Sequence, residues 1–410
     1  MKIAFLTTEY PTSARPEGGL GSYIRKVAIG LSENGVNVTV FFASSKDAEW
    51  NDGAVKVVQV KSWSEGSFPS GWPLVSRLKT VFGHLMTSKE MARVFGRYNS
   101  IHHFDVVQVP NFHAPGFWLS IQRDHPPLVT RFSSYSPLWR QMMGRRGRLE
   151  NKFLDLMEVY QAKRSLGCFA PSETIASIIR ERENLQVEVL RTPIENISST
   201  VVDQSWWEKQ NLQKLQYFLY VGRFNSLKGI DILVKAFLNV LESYPKIHLV
   251  CAGPSDLMTD DLSGEVYIRD AFAGLSNLHL YSPLPRTKLY SLYRDCLAVL
   301  MPSRIDNFPN VCLEAQSFKK PVIALQNSGL EEMVDHGING LLASSKSPES
   351  YVDVILKYLN MSAKQRKDMG EEAYNSFKVA VDEDRIDVLI EYYNKLLDGC
   401  RLVQNKFLKC

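Results

Sequence analysis

Short apolar runs alternate with amphipathic helical segments along most of the chain, and this alternation occurs twice. Ile3–Thr7 and Val38–Phe42 are predicted strands of the first half, and Tyr217–Val221 and His248–Ala252 are predicted strands of the second. Strands separated by helices favour parallel sheets. Around Glu195–Gln213 the pattern gives way to polar residues, so we expect a domain junction there. The predicted fold class is therefore α/β, with two doubly wound domains in tandem.

The remaining predicted elements continue this alternation. The other predicted strands are Val55–Val60, Asp105–Val109, Leu128–Phe132, Cys168–Ala170, Val187–Leu190, Leu278–Tyr281, Ala298–Met301 and Val322–Ala324. The predicted helices include Tyr23–Asn34, Ile175–Arg182, Ile230–Leu241, Thr287–Asp295, Asn310–Phe318 and Arg385–Leu397. Doubly wound sheets bind ligands at the carboxyl ends of their strands, so we expect a ligand cleft between the two domains.

Composition limits the classes of protein that need to be considered. A chain of 410 residues exceeds one ordinary core, which agrees with two domains. The formal net charge of +4 gives no argument for nucleic-acid binding. The six cysteines are scattered without a C-x-x-C pair, and this favours a reducing cytosol. The first residues do not read as a secretory signal and no apolar run reaches the length of a membrane span, so we expect a soluble or membrane-peripheral protein.

The segment Val299–Lys320 carries the clearest functional pattern. A hydrophobic strand is followed by a polar loop with Asp306, and a helix that opens near Pro309 carries Glu314. Proline suits the first turn of a helix, and the backbone N–H groups behind it (Asn310 and onward) favour an anion. Two carboxylates eight residues apart flank this anion site. The pattern suits a ligand that is part phosphate and part polyol.

Two further segments join this one in a family resemblance. Gly222-Arg223 follows a strand, Lys228-Gly229 opens the next helix, and Gly18-Gly19-Leu20-Gly21 follows the first strand. With Asp306 and Glu314, these segments resemble the G-R-x4-K-G motif, the N-terminal glycine loop and the Asp/Glu-x7-Glu signature of one enzyme family. That family is the retaining, nucleotide-sugar-dependent glycosyltransferases of family four (group 1), which have the GT-B fold.

The resemblance implies roles for individual residues. Arg223 and Lys228 would stabilise the leaving diphosphate and Glu314 would bind the donor ribose. Asp306, where the family more commonly has Glu, would contact hydroxyls of the donor sugar. The implied donor-binding residues are Gly18, Gly19, Gly21, Gly222, Gly253, Ser303, Asn307, Phe308, Asn310 and Glu314.

The first domain carries three further candidates. His113 follows the strand that ends at Val109, and family members often place a histidine near this strand end, close to the donor sugar. We count His113 with Arg223, Lys228 and Asp306 as catalytic, although a loop histidine with a structural role is an equal alternative. Arg131 stands where many members have histidine, and we assign it, with Tyr135, to the acceptor side.

The resemblance also implies the domain roles and the partners. Residues 1–198 would bind the acceptor, residues 199–384 would bind the donor, and a helix of residues 385–410 would pack back on the first domain. We expect a nucleotide-diphosphate sugar, UDP-linked before GDP-linked, and a glycan or lipid-linked acceptor. We expect neither a cofactor nor a metal ion. Asp382-Glu383-Asp384 precedes the last helix, and we interpret it as acids that cap the N-terminus of that helix rather than as a metal-binding triad. The oligomeric state stays open.

A membrane surface is a further hypothetical partner. Leu74–Met86 places Leu78, Val81, Phe82 and Leu85 on one helical face, and Arg131–Arg164 holds eight basic residues against three acids. A basic surface beside an apolar face suits anionic lipid headgroups or a diphosphate-linked acceptor. An amphipathic core helix and a solvated charged helix explain the same residues.

Three other functions are alternatives to a transferase. A nicotinamide-dependent oxidoreductase would need G-x-G-x-x-G after a strand, which Gly18-Gly19-Leu20-Gly21 does not supply. A GT-B sugar-nucleotide epimerase would act on the donor alone, and a non-catalytic GT-B scaffold would keep the fold without the reaction. We expect a retaining, metal-independent glycosyltransferase of glycan or polysaccharide assembly. Its leaving phosphate would accept the acceptor proton during front-face substitution.

Overall fold

The computed structural model describes residues 1–12, 19–63, 79–142, 149–193, 202–258, 261–382 and 385–407. Contacts divide the chain into two compact units. Unit 1 comprises Met1–Pro193 and Asp384–Cys410, and unit 2 comprises Ile194–Glu383. Each unit contains one sheet.

Unit 1 is built on an eight-stranded sheet of order β3-β4-β2-β1-β5-β6-β7-β8. Its strands are β1 Lys2–Thr7, β2 Asn37–Ser44, β3 Ala48–Asp52, β4 Val55–Lys61, β5 Val106–Pro110, β6 Leu128–Arg131, β7 Gly167–Ala170 and β8 Glu188–Val189. The pairings are parallel except between β3 and β4, which run antiparallel. The β5 strand is buried along its whole length, as expected for a central parallel strand covered on both faces.

The described residues of the first segment of unit 1 form six helices. They are α1 Gly19–Glu33, α2 Lys79–His102, α3 Phe117–Ile121, α4 Ser136–Met142, α5 Leu149–Lys163 and α6 Glu173–Glu183. The α1 helix therefore starts four residues earlier than its periodicity predicts, and Gly19 and Gly21 lie in its first turn. The predicted apolar segment Leu74–Met86 is described only from Lys79, where α2 begins.

Unit 2 is built on a six-stranded parallel sheet of order β11-β10-β9-β12-β13-β14. Its strands are β9 Gln216–Val221, β10 Ile247–Ala252, β11 Leu278–Tyr281, β12 Val299–Met301, β13 Val322–Leu325 and β14 Gly340–Ala343. Its helices are α7 Gln204–Lys209, α8 Ile230–Ser243, α9 Gly264–Ala271, α10 Arg286–Asp295, α11 Asn310–Ser317, α12 Pro348–Leu359 and α13 Ala363–Asp382, with a short 3₁₀ helix at Leu330–Glu332. Apolar clusters cover both faces of this sheet.

The last helix, α14 Arg385–Phe407, packs on unit 1. Its Leu389, Tyr392 and Tyr393 are buried in the core that contains the β1 strand. The Tyr393 hydroxyl donates to the side chain of Gln108 on β5, and Arg385 Nη1 donates to the Thr192 carbonyl at 2.7 Å. No helix in the described ranges has both the length and the apolar character that a membrane crossing requires.

Candidate active site

The sheet order of unit 2 brings two of the predicted site segments together. The β9 and β12 strands are neighbours and run parallel, with Val299 opposite Leu219. The loops that follow them therefore leave the same edge of the sheet. After β9 the chain continues to its neighbour β10, and after β12 it continues to β13, which lies in the opposite direction along the sheet. Ligands of doubly wound sheets bind at such a switch point.

An ion pair joins the two loops. Lys228 Nζ lies 2.6 Å from Asp306 Oδ2, although the residues are 78 positions apart in sequence. Asp306 is buried, and its backbone N–H donates to the Ser328 carbonyl at 2.7 Å. The Lys228 backbone N–H donates to Asn225 Oδ1 at 2.9 Å. Both charged groups are thus held at one point by contacts outside the pair.

A close backbone approach fixes the spacing of the same loops. Gly229 has a φ of 73°, and a Cβ atom built on it would lie 1.9 Å from the Pro302 carbonyl oxygen. Such a distance is far inside normal contact, so only glycine fits between the β9 and β12 loops here. This is the physical reason for the glycine that follows Lys228.

A second ion pair, between Arg304 and Asp231, also joins the β12 loop to the segment that follows β9. Arg304 binds both carboxylate oxygens of Asp231, at 2.7 and 2.6 Å, in the fork geometry that makes arginine–carboxylate pairs strong. Lys346 Nζ donates to the Arg304 carbonyl at 2.7 Å. Sequence reasoning assigned no role to Arg304 or Asp231. The only available signal was Asp231 in the first turn of α8, directly after the Lys-Gly pair.

Arg223 presents its guanidinium group to solvent. Its side chain is 64% exposed, and Nη1 lies 4.0 Å from Asp256 Oδ2, the limit for an ion pair. The Arg223 carbonyl accepts a 2.7 Å hydrogen bond from the buried Tyr220. The backbone is therefore fixed while the cation remains accessible to an anion.

The α11 helix begins at Asn310, and Pro309 is the residue before it rather than its first residue. Pro309, as the N-cap residue, makes no side-chain capping hydrogen bond to this helix. The preceding Phe308 has a φ of 54°, which is unusual for a bulky residue, while its ring is buried in the core. Left-handed backbone at such a position stores strain, and strain of this kind concentrates at ligand sites.

Glu314 lies on the second turn of α11 and is half-buried. The hydroxyl of Tyr293 donates to Glu314 Oε2 at 3.0 Å, and the Tyr293 ring stacks on Phe318 with an interplanar angle of 7°. Burial, followed by the charge of Glu314, raises the pKa of Tyr293 well above its usual value. The phenol is therefore a permanent donor that orients the carboxylate.

The other predicted donor-side residues of unit 2 lie around the same edge of its sheet. Ser303 is buried directly after β12, and Asn307 donates its backbone N–H to Asp306 Oδ1 at 3.1 Å. Gly222 and Gly253 follow β9 and β10 with positive φ angles. In unit 1, Gly19 and Gly21 lie in the first turn of α1, and Gly18 lies outside the described residues.

His113 lies in a strained turn after β5 and is not a solvated loop residue. It has a φ of 62°, its ring stacks on His84 with centroids 3.9 Å apart, and its backbone N–H donates to Glu158 Oε1 at 3.1 Å. Burial, together with the charge of His84, lowers the pKa of His113 to about 3. The imidazole is therefore neutral at physiological pH, and it can bond to a hydroxyl without supplying charge.

The carboxylate that holds this turn is Glu158, which sequence reasoning missed. It is 4% exposed and accepts hydrogen bonds from Asn111 Nδ2 at 2.9 Å and from the Ser136 hydroxyl at 3.1 Å, besides the His113 N–H. Burial raises the pKa of Glu158 to about 7, against the opposing effect of these donors and of Arg140. Mid-helix glutamate carries no sequence signal for this role, because its partners come from other elements.

The two predicted acceptor-side residues are buried inside unit 1. The Arg131 guanidinium stacks 3.6 Å from the centre of the Tyr23 ring and donates to Ser133 and Thr192, at 2.7 and 3.2 Å. Its Nε is buried and has no hydrogen-bond partner among the residues that the structure describes. The Tyr135 hydroxyl donates to Glu183. These contacts show that both side chains already hold the fold, and acceptor binding by them stays a prediction.

Metal ligation was not expected from the sequence. No cluster of three histidine, cysteine or acidic side chains suited to a metal ion occurs within the part of the chain that the structure describes. Of the Asp382-Glu383-Asp384 triad, only Asp382 lies within the described residues, where it ends α13.

Two family models match this chain. They are Glycosyltransferase Family 4 over residues 17–195 and Glycosyl transferases group 1 over residues 203–376. An uncharacterised glycosyltransferase of Methanocaldococcus jannaschii is 26% identical, over 93% of this chain and 99% of that protein. A D-inositol 3-phosphate glycosyltransferase of Paenarthrobacter aurescens is 24% identical, over 97% of this chain and 98% of that protein.

Solved structures resemble the whole chain. Sucrose-phosphate synthase from Thermosynechococcus elongatus has a TM-score of 0.77 at 17% identity and covers 100% of both chains. Anabaena HepE, in complex with UDP and glucose, has a TM-score of 0.70 at 16% identity, over 96% of this chain and 99% of that one. At these identities the likeness shows the fold alone. The two family models account for most of the sequence, and the resemblance predicted from the motifs is confirmed: the chain belongs to the group 1 glycosyl transferases of glycosyltransferase family 4 and has the GT-B fold.

Proposed function

We propose that this glycosyltransferase moves a sugar from a nucleoside-diphosphate sugar, with UDP as the first candidate, to a hydroxyl of a glycan or lipid-linked acceptor, and that it retains the anomeric configuration. The observation that carries the proposal is the convergence of Arg223, Lys228, Asp306 and Glu314 at one edge of the unit 2 sheet. Cations and carboxylates at one edge match a ligand that carries both phosphates and hydroxyls. The complex of Anabaena HepE with UDP and glucose makes UDP the first nucleotide to test.

The diphosphate is the part of the donor that this site suits best. Arg223 offers an exposed guanidinium, and α11 offers a positive N-terminus whose N-cap residue, Pro309, makes no side-chain capping hydrogen bond. Lys228 is held at the same edge by Asp306. Cations placed in advance where negative charge develops on the leaving group lower the barrier to transfer. The proposal includes no metal ion.

The hydroxyl groups of the donor fit the two carboxylates. Glu314, oriented by Tyr293, would accept from the ribose diol. Asp306, with one oxygen already bound to Lys228, would accept from the transferred sugar. An ionised carboxylate has acceptor atoms but no donor, and adjacent hydroxyls on a sugar supply the donors that it needs.

We assign acceptor binding to unit 1, where His113, Arg131 and Tyr135 are the candidates. A neutral His113 would align a hydroxyl of the bound sugar or acceptor through one ring nitrogen. We further propose that the leaving phosphate itself takes the acceptor proton on the face from which it departs. That route retains configuration without a protein nucleophile, and trapping a covalent glycosyl-enzyme would contradict it.

The first experiment is a thermal-shift series with UDP, GDP, ADP and NAD on wild type, Arg223→Ala and Glu314→Ala. A ligand that binds only the folded protein raises the melting temperature. Arg269→Ala is the matched control, because Arg269 is also an exposed arginine of unit 2 and pairs with Glu265 on its own helix, at 2.8 Å.

We expect one nucleoside diphosphate to stabilise wild type and Arg269→Ala, and to stabilise the two site variants much less. Stabilisation by NAD alone would contradict the donor assignment. Equal stabilisation of all four proteins by a nucleoside diphosphate would show that the nucleotide binds elsewhere.

A further inference from the structure

One face of α5 presents large apolar side chains to solvent. Leu149, Phe153, Leu156 and Tyr160 are spaced by four, three and four residues, so they lie on one side of the helix. Their exposed fractions are 68%, 47%, 64% and 42%. We name these four residues the α5 stripe. Single exposed apolar residues are ordinary, but four in one row form a contiguous patch.

The α5 helix packs on the core of unit 1 with the side opposite the stripe. Leu154, Met157, Glu158, Gln161 and Ala162 are the buried residues of this helix, and they lie on its other side. Glu158 and Gln161 are hydrogen-bonded to the turns after β5, which fixes the rotation of the helix. The stripe therefore faces outward because of how the helix is anchored.

Positive charge flanks the stripe. Lys152 and Lys163 are exposed and lie beside it on the helix, and exposed Arg164 follows directly. The acids of α5 point elsewhere: Glu150 accepts from the Thr80 backbone N–H at 3.0 Å, Asp155 pairs with Arg140, and Glu158 is buried.

We infer that the α5 stripe docks this enzyme on an anionic lipid surface. An outward-facing helix with bulky apolar residues, a tyrosine and flanking lysines inserts shallowly among headgroups, while the lysines meet lipid phosphates. This places an apolar contact on α5, which lies within the basic segment Arg131–Arg164 of the sequence prediction, while the role of Leu74–Met86 stays a prediction. The inference names a partner for the proposed transferase and depends on that proposal only for its biological role.

Charge favours a membrane over a second copy of this chain. In a two-fold dimer the same surface meets itself, so the cations beside the stripe in one copy would be brought to the same interface as those of the other copy. Like charges at such an interface are costly, and the stripe lacks neighbouring acids on α5 to offset them. An anionic bilayer satisfies both the apolar row and its cations.

The test is sedimentation of the full-length protein with vesicles of phosphatidylcholine, alone or with phosphatidylglycerol. Phe153→Ser with Leu156→Ser removes the centre of the stripe. Lys152→Gln with Lys163→Gln removes the flanking charge. Ile101→Ser is the control, because Ile101 is a 73% exposed apolar residue elsewhere in unit 1.

We expect binding to the anionic vesicles that weakens about tenfold or more in the serine variant. Each lysine near an anionic surface contributes about fivefold, so the glutamine variant weakens binding about 25-fold. High salt weakens wild-type binding, and Ile101→Ser leaves it unchanged.

Two outcomes would overturn the inference: no vesicle binding by wild type, or equal binding by the serine variant. Sedimentation equilibrium without lipid tests the alternative partner, a second copy of this chain. If wild type forms a dimer, the serine variant is a monomer and neither binds vesicles, the stripe is a dimer interface. Nucleotide-induced thermal shifts on the same proteins separate this question from the proposed function. Vesicle binding without any nucleotide shift would leave the docking surface standing and remove the donor assignment.

Discussion

Replacing Gly253 by alanine will disturb the candidate donor site more than its small added volume suggests. Gly253 follows β10 with a φ of 156°, and its N–H donates to the Tyr281 carbonyl at 3.1 Å. A Cβ atom at this position would lie 2.0 Å from the Gly222 carbonyl oxygen. Gly222 immediately precedes Arg223, so relief of the clash must move the backbone that carries this cation.

Two costs add in the variant. A non-glycine residue in an unfavourable backbone region costs about 1–3 kcal/mol. The added methyl group lies about 1.5 Å inside the optimal separation of non-bonded atoms, and overpacking of this kind costs a further ~1–3 kcal/mol. The total of about 2–6 kcal/mol lowers the melting temperature of a domain of this size by at least about 4 °C.

The assay combines thermal unfolding with titration of the nucleoside diphosphate that stabilises wild type. Gly274→Ala is the matched control, because Gly274 also has a positive φ, of 82°, but no atom of the described residues other than its chain neighbours lies within 4 Å of its added Cβ. We expect the control to show only the backbone cost and to keep wild-type nucleotide affinity. Gly253→Ala should lose more stability and lose affinity as well. Equal losses of stability with unchanged affinity in both variants would refute the steric argument.

Three further variants test single contacts. Because burial raises the pKa of Glu158 to about 7 from 4.5, its contribution to the stability of unit 1 is fully present below pH 4.5 and is lost as pH rises through 7. Hydrogen exchange of the surrounding strands measures this free energy as a function of pH. Glu158→Gln should remove the change of about 3 kcal/mol, and a pH dependence that persists in the variant would belong to another group. Asp306→Asn should cost about 1–2 kcal/mol, because Lys228 loses its charged partner, and an unchanged melting temperature would show that the 2.6 Å pair adds no stability. Tyr293→Phe should raise the KM for the donor about three- to tenfold with little change in melting temperature, because it removes only the hydrogen bond to Glu314. An unchanged KM would argue against a role for the Tyr293–Glu314 pair at the ribose.

The strands that the sequence predicted best are the buried ones. The predicted Tyr217–Val221 and His248–Ala252 agree with β9 and β10 to within one residue at each end, because central parallel strands are nearly continuous apolar runs. The β3 strand, with sequence AEWND, was missed, since an edge strand with exposed positions carries no such run. The β14 strand was missed as well, because it is short and begins with glycine.

Within the site, motif residues were predictable and their supports were not. Lys228 and Asp306 meet because adjacent parallel strands deliver their loops to one edge, which a predicted α/β order implies. Glu158 contacts Asn111 from 47 residues away, and neither residue has a local pattern that signals the other. Contacts that depend on the rotation of one helix over a sheet require the tertiary structure.

The most direct test of the central claim is calorimetric titration of wild type and Lys228→Ala with UDP and with UMP. We assign Lys228 to the diphosphate, so removal of its charge should weaken UDP binding about tenfold or more and leave UMP affinity nearly unchanged. If GDP proves to be the stabilising nucleotide, the same comparison is made with GDP and GMP. Equal loss for the monophosphate and the diphosphate, or no loss for either, would contradict the assignment of this edge of unit 2 to a nucleoside-diphosphate sugar.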